Sequence, residues 1–185
     1  AASGVVDVLP WELSYIPANG LPWRPNLLVQ SYSAYTRRLD HAIAENLRDS
    51  SRAPGALLVE MVSLGARHIM LDTPENFQAI QSHYEVLEAD HRRSLLLLRR
   101  RQQAEPQRLA PISSGTISFN RWTAVPPAPG RVYARMLFRT TILGALRRLF
   151  WQIPAVYLRL EYVSGRKAEF RMLPETAANG ILLNY

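Results

Sequence analysis

The chain has 185 residues, 48% of them hydrophobic and 20% charged, enough for one ordinary domain or two small ones and too apolar for a disordered tail. A net charge of +7 rules out an acidic protein, and the lack of cysteine rules out a disulfide framework or a thiolate metal site. Of the 22 basic residues only Lys167 is a lysine, an arginine bias that compositional background explains as readily as selection for a binding surface.

Residues 5–9 read as a short apolar strand, and Pro10-Trp11-Glu12 can open a helix, with proline in the first turn where its missing N–H costs nothing. Residues 27–30 read as a second strand. Leu39, Ile43 and Leu47 fall at i, i+4 and i+8, a helical stripe. Residues 56–60 give a third strand. Thr73-Pro74 then caps and starts a helix whose buried face is Phe77, Ile80 and Tyr84. Residues 86–88 and 94–98 close this half as a pair of strands. Strands alternating with helices predict an α/β layer sandwich with a mostly parallel sheet and an antiparallel edge.

A polar, proline-containing stretch, Arg101-Gln102-Gln103-Ala104-Glu105-Pro106-Gln107-Arg108, reads as a linker. Before it, residues 1–105 hold 11 arginines against 12 acids; after it, residues 106–185 hold 11 basic residues against three acids. The divide predicts an α/β subdomain at 1–105 and a β subdomain at 106–185. In the second, Val132, Ala134, Met136 and Phe138 alternate with Arg131, Tyr133, Arg135 and Arg139, and residues 154–163 alternate likewise. Ser164-Gly165-Arg166 supplies a turn, and Ala168, Phe170 and Met172 return along the buried face. Registers setting Arg159 opposite Glu169, or Glu161 opposite Arg171, avoid like-charge pairs. Asn179-Gly180 makes a further turn before residues 181–183. The expectation is a small antiparallel β-sandwich.

Residues 141–151 break the alternation. Ile142, Leu143, Leu146, Leu149 and Phe150 share a helical face, with Arg147 and Arg148 off it. A connecting helix packed on the sandwich accounts for this. A membrane-surface helix, with Arg147 and Arg148 at anionic headgroups and Phe150 and Trp151 at the interface, is the sharper alternative. Residues 1–10 show no basic n-region or long apolar stretch, and arginines interrupt residues 140–160, so neither a secretory signal nor a span is read. The expectation is a soluble piece, opening without Met into a strand as an excised domain or a processed mature protein would.

No catalytic constellation emerges. His41 and Glu45 stand four apart on the predicted helix, but the zincin pattern needs a second histidine there, so no metal or other cofactor is expected. His68 lies in Gly65-Ala66-Arg67-His68 with Asp72 nearby. No nucleophile elbow, Walker loop or dinucleotide fingerprint is present. Asp72, before Thr73-Pro74, is the best single candidate acid, with a loop or capping role competing. Nucleic acid is not the expected partner, because the arginines alternate with apolar residues as on a solvated strand face and no RNA-binding aromatic signature occurs.

Several stretches together carry a resemblance: Val6-Asp7-Val8-Leu9-Pro10-Trp11-Glu12, the run from Trp23-Arg24-Pro25-Asn26 through Gln30-Ser31-Tyr32-Ser33-Ala34-Tyr35-Thr36, Leu71-Asp72-Thr73-Pro74, Phe170-Arg171-Met172-Leu173-Pro174 and Asn179-Gly180-Ile181-Leu182-Leu183. They resemble the C-terminal region of large polytopic bacterial membrane proteins distantly similar to GT-C-type glycosyltransferases. The resemblance implies an extracytoplasmic domain on the periplasmic or extracellular face of the inner membrane, joined to the spans of its own polypeptide. It also implies a non-catalytic role, in scaffolding or in binding a glycan or lipid-linked sugar. Tyr32 and Tyr35 could then stack a sugar ring, with Gln30 and Asp40 hydrogen-bonding and Asp72 nearby; packing of the loop on the sheet is the competing role for the tyrosines. Leu64 stands where an acid before Gly65 is usual in such proteins, which weakens any acid-dependent role for that loop. Two alternatives remain at this stage: a small sugar-acting α/β enzyme with its site near Asp72 and Tyr35, and a basic module binding anionic lipid or nucleic acid.

Overall fold

The structure is a computed structural model that describes residues 4–139, 141, 144 and 155–184. Strand β1 (Val6–Leu9) pairs in parallel with β2 (Ala56–Glu60), setting Val6 opposite Ala56 and Leu9 opposite Val59. The crossover between them holds a single helical turn, α1 (Tyr15–Ala18), and the longer α2 (Arg37–Arg48). Thr36 caps α2, its hydroxyl accepting the Leu39 N–H at 3.2 Å, and the predicted stripe packs inward with Ile43 and Leu47 fully buried.

After β2 come a two-residue hairpin, β3 (Ser63–Leu64) with β4 (Arg67–His68), then the turn α3 (Ile69–Asp72) and helix α4 (Pro74–His83). Strands β5 (Tyr84–Asp90) and β6 (Leu95–Arg100) complete a four-stranded sheet of order β1-β2-β6-β5. The expected mostly parallel sheet is corrected here: β6 is antiparallel to both β2 and β5, so only the β1–β2 pair is parallel. Strands β1, β2 and β5 do run the same way, as helix-linked strands should. The β5–β6 hairpin folds back so that β6 enters the sheet between β5 and β2 and reverses both contacts.

Two local expectations also change. Residues 27–30 form no strand. The chain instead touches the β1 edge at a single parallel bridge between Val6 and Trp23, flanked by Pro22 and Pro25, which have no N–H to extend a ladder. Asp7 holds the departing chain there, accepting the Trp23 indole N–H at 3.0 Å and the Asn26 N–H at 2.9 Å. The helix expected at Pro10 begins only at Tyr15.

Residues 101–132 contain no helix or strand. Strand β7 (Tyr133–Ala134) pairs antiparallel with β10 (Ile181–Leu182), so the strand read over 131–139 is reduced to the two residues its short partner can meet. Strands β8 (Val156–Glu161) and β9 (Lys167–Met172) form the expected hairpin around Gly165. Arg159 faces Glu169, one of the two anticipated pairings; Glu161 faces Lys167, not Arg171.

One cluster of buried side chains joins one sheet face to α2 and α4 through Leu9, Leu57, Val59, Leu98, Leu47 and Ile80. A second joins Met172, Ala177 and Ile181 to Met136, Phe138, Leu158 and Phe170. Each cluster borrows from the other side of the linker. Leu182 lies in the first and Leu71 in the second, and each is about 3% exposed, a burial worth roughly 1.5–3 kcal/mol apiece. Among the described residues no helix is long and apolar enough to cross a membrane.

Candidate functional site

Four of the residues singled out from the sequence, Gln30, Tyr32, Tyr35 and Asp72, meet around one that was not, Arg67. The β3–β4 hairpin turns through Gly65 and Ala66, both at positive φ as a two-residue turn with right-handed strand twist requires, and so delivers Arg67 inward. Its Nε lies 3.1 Å from one Asp72 oxygen, to which it donates, and 3.0 Å from the other. Its Nη2 donates to the Tyr32 carbonyl at 2.6 Å. The guanidinium carbon stands 5.1 Å from the Tyr35 ring centroid and 5.9 Å from that of Tyr32, within cation–π range. The Tyr32 hydroxyl donates to Gln30 at 2.9 Å, and Trp11 meets the Tyr32 ring edge-on.

Arg67 and Asp72 are buried here, and the crevice they line with Trp11 and Tyr32 has no room for a water molecule. Tyr35 lies outside that crevice and is half exposed. Arg67 occupies one flank of each tyrosine ring. Burial pushes the Asp72 carboxyl up to about 6, against the opposing pull of Arg67. Asp72 closes the helical turn α3, and neighbouring His68 caps that turn by accepting the Met70 N–H. Burial holds the His68 imidazole below its ordinary range.

Asp40 does not join them. It is fully buried on α2, and its two oxygens accept the backbone N–H groups of Glu75 at 3.1 Å and Asn76 at 3.0 Å, capping α4 from a neighbouring helix. A third donor, Asn179 Nδ2, reaches the same carboxylate at 2.8 Å. Burial raises the Asp40 carboxyl above its ordinary range, and these three hydrogen bonds oppose the rise. Nothing in its local sequence announces that role, since its partners lie 35 to 139 positions away.

The outer face of α2 borders an open cleft of about 660 Å³, bounded on its other sides by α4, the 3-10 turn Thr176–Asn179 and Arg135. Arg37, Arg38, His41 and Arg48 line it from α2, and Glu75 from the start of α4. Glu75 accepts from Arg48 at 2.9 Å and lies 2.8 Å from His41 Nδ1. Burial pushes its carboxyl up, but the bonds from His41 and Arg48 win and hold it below the usual range. Glu75 also brings an oxygen within 4.8 Å of donor atoms on His41 and Glu45, which sequence spacing alone had left one ligand short. Arg48 shares both carboxylates of that trio, lying 2.7 Å from Glu45, and so occupies with a fixed cation the charge a metal ion would need.

Arg147, Arg148, Phe150 and Trp151, the expected membrane-surface residues, lie outside the described residues. No family model, curated protein or solved structure matches the chain.

Proposed function

We propose that the chain is a non-catalytic, extracytoplasmic scaffolding module of a multi-spanning membrane protein, of the glycosyltransferase-like kind its sequence resembles. The observation that carries this reading is residues 101–132: thirty-two consecutive positions with no helix or strand, far longer than an ordinary connection in a packed domain. This segment follows β6 and is tied alongside α4 by bonds from the Glu105 N–H to the Ser82 carbonyl and from the Gln107 amide to the Gln78 carbonyl. Farther along it passes Phe138, which meets Phe119, and the β8–β9 hairpin, where Lys167 lies over Trp122, before it reaches β7. Along the way it turns Leu109, Ile112, Ile117, Phe119 and Trp122 outward, the last two 71% and 63% exposed. Large apolar side chains spaced along an irregular ribbon, within a strongly basic half, suit a surface that another body covers.

The occupant proposed is the membrane part of the same polypeptide with its headgroup layer. The finer architecture belongs to the same reading: a helix layer on the mixed sheet, then a small β-sandwich in which β10 and the β8–β9 hairpin share one apolar cluster. A glycan bound at this module would approach the exposed side of Tyr35, since the crevice beside Asp72 holds no water-sized space.

Photo-crosslinking tests the proposal. With a crosslinking amino acid at Phe119 or Trp122 of the full native gene product, the expected adducts are with apolar spans of the same polypeptide or with lipid. A native gene product that fractionates away from membranes and yields no such adduct overturns it.

A further inference from the structure

The cleft along α2 points to a second function, independent of the scaffolding role. We infer that it is a binding site for a small, multiply charged oxyanion, a compound bearing two or more phosphate or carboxylate charges. Four arginines, Arg37, Arg38, Arg48 and Arg135, line a space that holds one carboxylate, Glu75. Arg48 is taken up by Glu75 and Glu45. Among the described residues Arg37, Arg38 and Arg135 form no salt bridge with a carboxylate, and four arginines against Glu45 and Glu75 leave the cleft with an excess of two positive charges.

Arg37 is also held in place. Its Nε donates to Asn179 Oδ1 at 2.9 Å, and the same Asn179 amide donates back to the Arg37 carbonyl at 3.3 Å and to Asp40 at 2.8 Å. The remaining N–H groups of that guanidinium are left for a ligand. Arg135 comes from the other wall, its Cγ close to Gly180, which directly follows Asn179. Arginines from two sides of the cleft thus line one space, with Arg38 beside Arg37 on α2. Guanidinium forks match carboxylate and phosphate oxygens in bidentate pairs. The volume of about 660 Å³ lies within the range of small-molecule sites. At the far end, His41 and the Arg48–Glu75 pair offer polar contacts to an uncharged portion of the ligand.

Gathering like charges without counter-ions is unfavourable, and an anion of charge two or more relieves it, whereas a monoanion or a neutral sugar does so less or not at all. Pyrophosphate and citrate are the probes, one for each source of oxyanion, titrated calorimetrically into the intact chain at low salt with chloride and glucose as references. Saturable binding of pyrophosphate, citrate or both is expected, and the preference between them identifies the natural charge. Arg38→Glu/Arg135→Glu should weaken it by about tenfold or more, while Arg92→Glu, on the exposed β5–β6 turn, should leave it within about twofold. Should the double charge reversal fail to fold, Arg38→Gln/Arg135→Gln removes the same forks with a smaller change. Neither probe binding above chloride, or equal losses in the Arg92 control, would overturn the site.

Discussion

Asp40 and Asn179, 139 positions apart, meet at 2.8 Å in the interior and join α2 to the turn that precedes the final strand. The same carboxylate caps α4 through the Glu75 and Asn76 N–H groups, and the same amide holds Arg37 at the cleft. One buried side-chain pair therefore fixes three elements around the basic wall. Asp40→Ala leaves two helix N–H groups without an acceptor and removes one of the two acceptors of the Asn179 amide, and should cost roughly 2–4 kcal/mol in urea unfolding. Asn179→Ala should cost less, because α4 keeps its cap, yet weaken oxyanion binding by freeing Arg37. A loss below about 1 kcal/mol for Asp40→Ala would show that water replaces these bonds.

The Arg67–Asp72 pair makes stability depend on pH. Asp72 has a folded-state value of about 6 against an ordinary 3.8, with burial as the main cause. A raised carboxyl stabilises the fold fully below about pH 4 and loses that contribution as pH rises through about 6, an effect on the order of 3 kcal/mol. Asp72→Asn cannot titrate, so from pH 4 to pH 7 it should gain on the wild type by that order. Paired urea curves at the two pH values measure the difference. A wild-type Asp72 carboxyl whose NMR titration falls below pH 4 would contradict it.

Local signals were legible and long-range ones were not. The stripe of Ile43 and Leu47, the strand at 56–60, the Thr73-Pro74 helix start and the β8–β9 hairpin all follow from periods and turn chemistry within a few residues, while the choice of the Arg159–Glu169 register over Glu161–Arg171 does not. The entry of β6 between β2 and β5 does not, because Leu-rich β6 reads the same with either neighbour. Tyr32, Tyr35 and Asp72 were noticeable singly, as aromatic and acidic residues in loops. Their common partner Arg67 follows a turn-like Gly65-Ala66 and carries no local signal of burial, since that burial comes from contacts made by distant segments. The cleft was hidden for the same reason: Arg135 reaches it from across the linker.

Two glycines at positive φ separate backbone strain from crowding. Gly165 turns the β8–β9 hairpin at φ 79°, and a Cβ there would meet nothing within 4 Å. Gly180 sits at φ 101°, and a Cβ there would lie 3.1 Å from Gln78 Nε2, which donates to the Asn179 and Gly180 carbonyls. Gly165→Ala should therefore cost about 1–2 kcal/mol, from backbone strain alone. Gly180→Ala should cost more, because Gln78 is buried and must shift by a few tenths of an ångström, which stretches both of its bonds. Equal thermal shifts for the two variants would mean that Gln78 moves freely.

In the C-terminal half, apolar contact should outweigh the visible ion pairs. Arg159 and Glu169 face each other across the β8–β9 hairpin, but both are well exposed, where such pairs contribute about 0.2–1 kcal/mol and weaken with salt. Ile181 is fully buried against Leu71, Met172 and Ala177, so it reaches across the linker into α3. Ile181→Ala removes three carbons from that contact and should cost roughly 2–5 kcal/mol, while Arg159→Ala should cost under about 1. The Ile181 variant should also loosen both sides of the linker together, because Leu182, its neighbour on β10, belongs to the N-terminal cluster. Hydrogen exchange tests this directly: faster exchange at β2 as well as β9 is the expected pattern. Faster exchange confined to residues after 132 would mean that the two clusters are energetically separate despite their shared side chains.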